Sequence, residues 1–267
     1  MNLRKLRPVP VLGIALLLAL AGSLRADEEQ RFEKSYDMTG ISKVHLENVN
    51  GPVKLETWDR PVLKLVAVKK ARGGQASEAL RETEIRVTKH GSTIDIETVL
   101  PRRGRIFGIF FFNSPRNTEV SYELTVPAAA ATDIETVNGR ISAVRRAGST
   151  TLCTVNGSIR VEGQEAPLKV NTVNGSVEIL FSGPSRATDV ETVNGSVEVT
   201  ADKESSFRYE LQTVNGAIRS DFGSLSIEKK LGPKEARGEV NGGRERLAIE
   251  TVNGEIRLRS SEAIAQK

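Results

Sequence analysis

The sequence predicts an all-β fold, a single-stranded β-solenoid of β-helix type with rungs of roughly 18–21 residues and Val-Asn-Gly turns. Three observations predict it. Thr-Val-Asn-Gly occurs six times, with its asparagines at Asn138, Asn156, Asn174, Asn194, Asn215 and Asn253. The first four steps between these asparagines are nearly equal, and the last is close to two periods. Each copy is flanked by alternating apolar and polar residues, as in Val170, Val173, Val177, Ile179 and Val190, Val193, Val197, Val199. A period of about 20 residues marks repeats that cannot bury their apolar face alone and stack on their neighbours.

Within each copy, alternation places the Thr on the same face as the apolar residue two positions before it. Outward positions vary freely in charge (Arg160, Glu178, Glu198, Arg219, Arg257), as a solvated face does. The glycines Gly139, Gly157, Gly175, Gly195, Gly216 and Gly254 supply the bend, because Gly takes positive φ without cost and the preceding Asn tolerates it. Stacked rungs bring identical asparagines about 4.8 Å apart, so their amides can bond along a ladder. These twelve residues are the expected structural ladder. Asn-Gly between alternating strands is also the strongest short hairpin signal, so an antiparallel β-hairpin meander is the alternative. The near-constant period and identical turn residues favour stacked rungs.

Taken in order, residues 1–26 read as a signal peptide. Arg4, Lys5 and Arg7 precede an apolar run from Val9 to Ala21, and Ala26 offers a cleavage point before Asp27-Glu28-Glu29. Residues 27–119 read as an N-terminal β-rich part of the repeat domain. Asn48-Val49-Asn50-Gly51 already shows the repeat, Val62 to Lys69 alternates as a strand, and Gln75 to Thr83 lacks Gly and Pro and favours a short helix. Ile85–Val87 and Thr93–Val99 are further strands. Residues 101–117 interrupt the pattern with Phe107, Phe110, Phe111 and Phe112 amid Arg102, Arg103, Arg105 and Arg116. That insertion is a cap on the solenoid end, an aromatic tip with a basic collar suited through residues 106–112 to an anionic membrane surface or a hydrophobic partner, or a disordered, aggregation-prone segment. Residues 120–260 read as the regular repeats, with a Gly- and Lys-rich excursion from Gly223 to Arg246, and 261–267 as a polar tail.

Composition removes several classes of function. The chain has 38 basic and 34 acidic residues, but four of the basic ones and none of the acidic ones lie in residues 1–26. An exported remainder is electrically balanced, and a basic footprint for nucleic acid is missing. Cys153 is the one cysteine, so no internal disulfide forms, and it occupies a variable position before a Thr-Val-Asn-Gly copy. Neither His45 nor His90 has metal-ligand or triad spacing, and no cofactor motif appears. The acids before each Thr include Glu135, Glu191 and Glu250; Glu135 and Glu191 are three rungs apart, roughly 14 Å, too far for paired carboxylate chemistry.

At Asn48 to Val53, Trp58-Asp59, Tyr122 to Pro127, the Thr-Val-Asn-Gly series and Ile249 to Leu258, the chain resembles the bacterial toastrack-like, putative-adhesin β-strand repeat family, formally a domain of unknown function. The resemblance covers about residues 40 to 260. It implies an adhesin-like or envelope-associated role and carries no catalytic motif, metal or cofactor. The expectation is an exported, non-enzymatic interaction or structural module of the cell envelope, periplasmic or extracellular. Its partner would be a protein or an envelope surface component. The alternatives are an envelope-stress sensing partner of a membrane protein and, third, a polysaccharide-active β-helix enzyme.

Overall fold

The computed structural model describes residues 27–261 apart from 101–104, 107–108, 111–117, 182, 184–185, 224–226 and 230–231. The predicted signal peptide, the polar tail beyond Ser261, and Arg103, Phe107, Phe111 and Phe112 lie outside the described residues.

The first strands are β1 (Asp27–Asp37), β2 (Lys43–Asn50), β3 (Val53–Trp58) and β4 (Val62–Arg72), followed by helix α1 (Ala76–Glu82). Then come β5 (Glu84–His90), β6 (Thr93–Val99), β7 (Arg105–Ile106), β8 (Ile109–Phe110) and β9 (Thr118–Pro127). β7 and β8 pair antiparallel, placing Arg105 opposite Phe110. Five strand pairs follow: β10 (Ala131–Asn138) and β11 (Ile141–Arg146), β12 (Thr150–Asn156) and β13 (Ile159–Gln164), β14 (Leu168–Asn174) and β15 (Val177–Leu180), β16 (Thr188–Asn194) and β17 (Val197–Asp202), β18 (Phe207–Thr213) and β19 (Ile218–Ser220). The last strands are β20 (Ile227–Lys229), β21 (Lys234–Val240), β22 (Glu245–Asn253) and β23 (Ile256–Ser261). Helix α1 occupies the stretch that its composition marks, and Lys69 closes its end by donating to the carbonyls of Leu80 (2.8 Å) and Thr83 (2.9 Å).

The fold is all-β, two large mixed sheets whose central strands run parallel. One has the order β1-β4-β9-β3-β11-β13-β15-β17-β23-β19, the other β20-β21-β18-β22-β16-β14-β12-β10-β2-β6-β5. The strands on either side of each Asn-Gly corner belong to different sheets, so no hairpin closes there and the meander does not form. The corner instead turns the inward residues of its two strands toward one another. Columns such as Leu46, Ile134, Leu152, Val170, Val190 and Ile249 from one sheet meet Val53, Ile141, Ile159, Val177, Val197 and Ile256 from the other, all buried. Burial of these columns drives the stacking, since a lone rung would leave both faces wet.

The stack does not follow sequence order. β22 and β23 lie between β16–β17 and β18–β19, so the asparagine column reads Asn50, Asn138, Asn156, Asn174, Asn194, Asn253, Asn215. The long last step, from Asn215 to Asn253, is therefore not two rungs advanced. The chain passes one rung ahead, turns back through β21, antiparallel to β18, and fills the gap with β22. All copies present the same edge, so a rung can pair with either neighbour.

The later corner glycines lack positive φ and sit instead where only Gly fits. Positive φ occurs at Gly51 (120°) but at none of the six later corner glycines. What requires glycine there is close approach. A Cβ on Gly139 would meet the Gly51 carbonyl oxygen at 2.1 Å, one on Gly175 the Gly157 oxygen at 1.9 Å, and one on Gly216 the Gly254 oxygen at 1.8 Å. The corners nest backbone on backbone, and no side chain fits between them.

Candidate functional site

Each Thr-Val-Asn-Gly copy sends its residues in alternate directions. The threonine points in: Thr154, Thr172, Thr192, Thr251 and Thr213 are buried, and each hydroxyl donates to a corner carbonyl one rung away, at 3.0–3.4 Å. In the first copy Asn48 replaces Thr. Its amide donates to the carbonyls of Val120 (2.9 Å) and Gly51 (3.2 Å), and its oxygen accepts from Thr98, which bonds the Tyr122 hydroxyl at 2.6 Å. Burial pushes the Tyr122 phenol up to about 12.

The asparagines lie outside, exposed, and joined end to end. Each side-chain amide from Asn138 to Asn215 donates to the amide oxygen of the preceding asparagine in the stack, at 2.7–2.9 Å through six bonds beginning at Asn50. The ladder is therefore bathed in solvent; the corner glycines beside it are half-buried, and the threonines are buried.

The valines face outward as well. Val137, Val155, Val173, Val193, Val252 and Val214 are exposed, between 39 and 44% of their surface, and with Val49 they form an unbroken column. On every strand the residue two positions earlier shares that face: Glu47, Glu135, Cys153, Asn171, Glu191, Glu250 and Gln212. Valines and this second column line a groove of ≈ 1070 Å³ on the outer face of the second sheet. The alternation pattern carries the signal for it, because Val must oppose the inward Thr.

Electrostatics along the groove are uneven. Glu97 pairs with Arg86 (3.2 Å) and Glu47 with His45 (3.0 Å), whereas among the described residues Glu135, Glu191 and Glu250 make no ion pair. Glu191 and Glu250 occupy directly opposed register positions on β16 and β22. Their separation is that of neighbouring strands, so distance does not bar paired-carboxylate chemistry for them as it does for Glu135 and Glu191. Both side chains are exposed. Cys153 stands mid-groove, half-buried, with the Asn171 amide 3.6 Å from its Sγ. Burial pushes its thiol up, Glu135 and Asp133 push the same way, and the Asn171 bond only partly opposes them. A thiol so shifted is a poor nucleophile at neutral pH. Among the described residues no three His, Cys, Asp or Glu side chains converge as metal ligands, and no helix is long and apolar enough to cross a membrane.

The family model described as Toastrack DUF4097 matches residues 38–259. The chain belongs to that family. Solved structures similar to this Toastrack chain include a putative cell adhesion protein from Clostridium sporogenes, 14% identical with a TM-score of 0.48, over 88% of this chain and 100% of that one. A putative adhesin from Bacteroides fragilis is 12% identical with a TM-score of 0.40, over 86% and 97% of the two chains. One from Parabacteroides distasonis is 12% identical with a TM-score of 0.27, again over 86% and 97%. No curated protein matched the Toastrack chain.

Proposed function

We propose that this Toastrack chain is an exported, non-enzymatic β-solenoid that serves as an adhesin-like interaction module of the bacterial cell envelope. The observation that carries the reading is the exposed valine column. A β-branched apolar residue repeated at every rung on a solvated face adds nothing to the core, and contiguous exposed apolar surface of this kind marks contact with another molecule. The parallel stack behind it is a rigid backing, as repeat folds offer along their sides. Export is supported by the basic and apolar character of residues 1–26.

The test is sedimentation of the purified chain with envelope fractions, compared with the triple variant Val155→Thr, Val173→Thr, Val193→Thr. Threonine keeps the shape and β-branching while making the strip polar. The proposal expects co-sedimentation to fall at least tenfold in the variant with unfolding curves superposed. Undiminished co-sedimentation would overturn it. So would turnover of a polysaccharide panel that disappears in Glu191→Gln, Glu250→Gln.

A further inference from the structure

We infer that the valine column seats a cationic amphipathic α-helix, about as long as the column itself, lying along the stack with basic side chains against Glu135, Glu191 and Glu250. The inference rests on the interaction reading above and names the chemistry of the partner.

Length and period argue for a helix. From Val49 to Val214 the column takes six inter-rung steps, about 29 Å at the inter-strand spacing. A helix rising about 1.5 Å per residue covers that length in about 19 residues. Its apolar stripe returns every ~5.4 Å, against roughly 4.8 Å between valines, so it drifts by less than one rung over the whole column. An extended strand laid the same way repeats its side chains every ~6.7 Å and is out of phase within two or three rungs. A polyproline helix repeats at about 9.3 Å and would leave every second valine uncovered. A single stripe of knobs against a single row of valines is how an amphipathic helix reads a groove.

Charge argues for a cationic partner. Glu135, Glu191 and Glu250 flank the valines on one side, exposed and without ion pairs among the described residues, whereas the carboxylates of Asp133 and Asp189 further along the strands are held by Lys43 and Arg246. Lysines or arginines on one shoulder of a docked helix would meet that row. A second copy of this chain is disfavoured, because it would bring a further acidic row to the same face. An anionic bilayer is disfavoured on the same ground.

Three peptides of that helical length, built of Leu with Lys or Glu and each labelled for fluorescence anisotropy, test the assignment. One has Leu at helical spacing with Lys elsewhere, the second has the same composition with Leu and Lys alternating, and the third is the helical design with Glu for Lys. Cys153, the sole cysteine, lies mid-groove, so slowing of its alkylation reports occupancy independently. The expected result is binding of the first peptide, at least tenfold weaker binding of the other two, and protection of Cys153 by the first alone. Binding of the first should fall tenfold or more in Val155→Thr, Val173→Thr, Val193→Thr, and several-fold in Glu135→Gln, Glu191→Gln, Glu250→Gln. Equal or better binding of the alternating or Glu peptide overturns the inference, as does binding that neither variant weakens. If the helical peptide fails while envelope co-sedimentation still depends on the valines, the partner class is wrong and the interaction module stands. If co-sedimentation is also indifferent to the valines, both fall.

Discussion

Gly175 and Val173 stand two residues apart in one corner and are repeated with equal fidelity along the chain, for opposite reasons. Gly175 is fixed by its neighbours: its Cα lies where a Cβ would strike the Gly157 carbonyl oxygen at 1.9 Å. Val173 is 39% exposed and faces away from the core. Thr172 and Asn174 fall between these extremes, one a buried hydroxyl that satisfies a corner carbonyl, the other an exposed link in the amide ladder. Repetition inside a sequence therefore does not by itself separate what the fold demands from what a partner demands. Direction along the strand does.

The comparison can be broken most readily at its steric end. Gly175→Ala should cost about 3 kcal/mol or more, because the nested backbones must part to admit a methyl group. A loss under about 1 kcal/mol in urea unfolding would mean the corners are loosely stacked. Next, Val170→Ala, on the buried face of the same strand, should cost about 2 kcal/mol through lost burial and the cavity left behind. Thr172→Val keeps the volume and removes the donor to the Gly157 carbonyl, so its cost should be about 1 kcal/mol. Asn174→Ala removes one ladder bond on each side, to Asn156 and from Asn194, and in solvent this should also come to about 1 kcal/mol or less. A loss of several kcal/mol for Asn174→Ala would make the ladder a structural element on a par with the glycines.

The repeated motif, the inward Thr and the short helix at 76–82 were legible because each rests on local chemistry: periodicity, alternation and helix formers without Gly or Pro. The order of the stack was not. Asn194, Asn253 and Asn215 sit in identical Thr-Val-Asn-Gly copies, so the motif does not say which two are neighbours, and only the return of the chain through β21 places Asn253 between the others. That placement also made Glu191 and Glu250 neighbours, a juxtaposition hidden by their wide separation in sequence. The demand for glycine was visible but its cause was not, since close approach between rungs is a tertiary fact while positive φ is a local habit. The valine strip was missed for a plainer reason: valine is ordinarily core, and its outward position is fixed only by parity with the threonine beside it.

The most direct test of the account makes one substitution at two places on the same strand. Val170→Thr and Val173→Thr introduce the same hydroxyl on opposite faces of β14. Unfolding free energies in urea should fall by about 2 kcal/mol or more for Val170→Thr, where the hydroxyl is buried among Leu152, Val190 and their neighbours, and by no more than about 0.5 kcal/mol for Val173→Thr. Comparable losses at the two positions would show that the valine column belongs to the fold, and the case for a binding strip would end there.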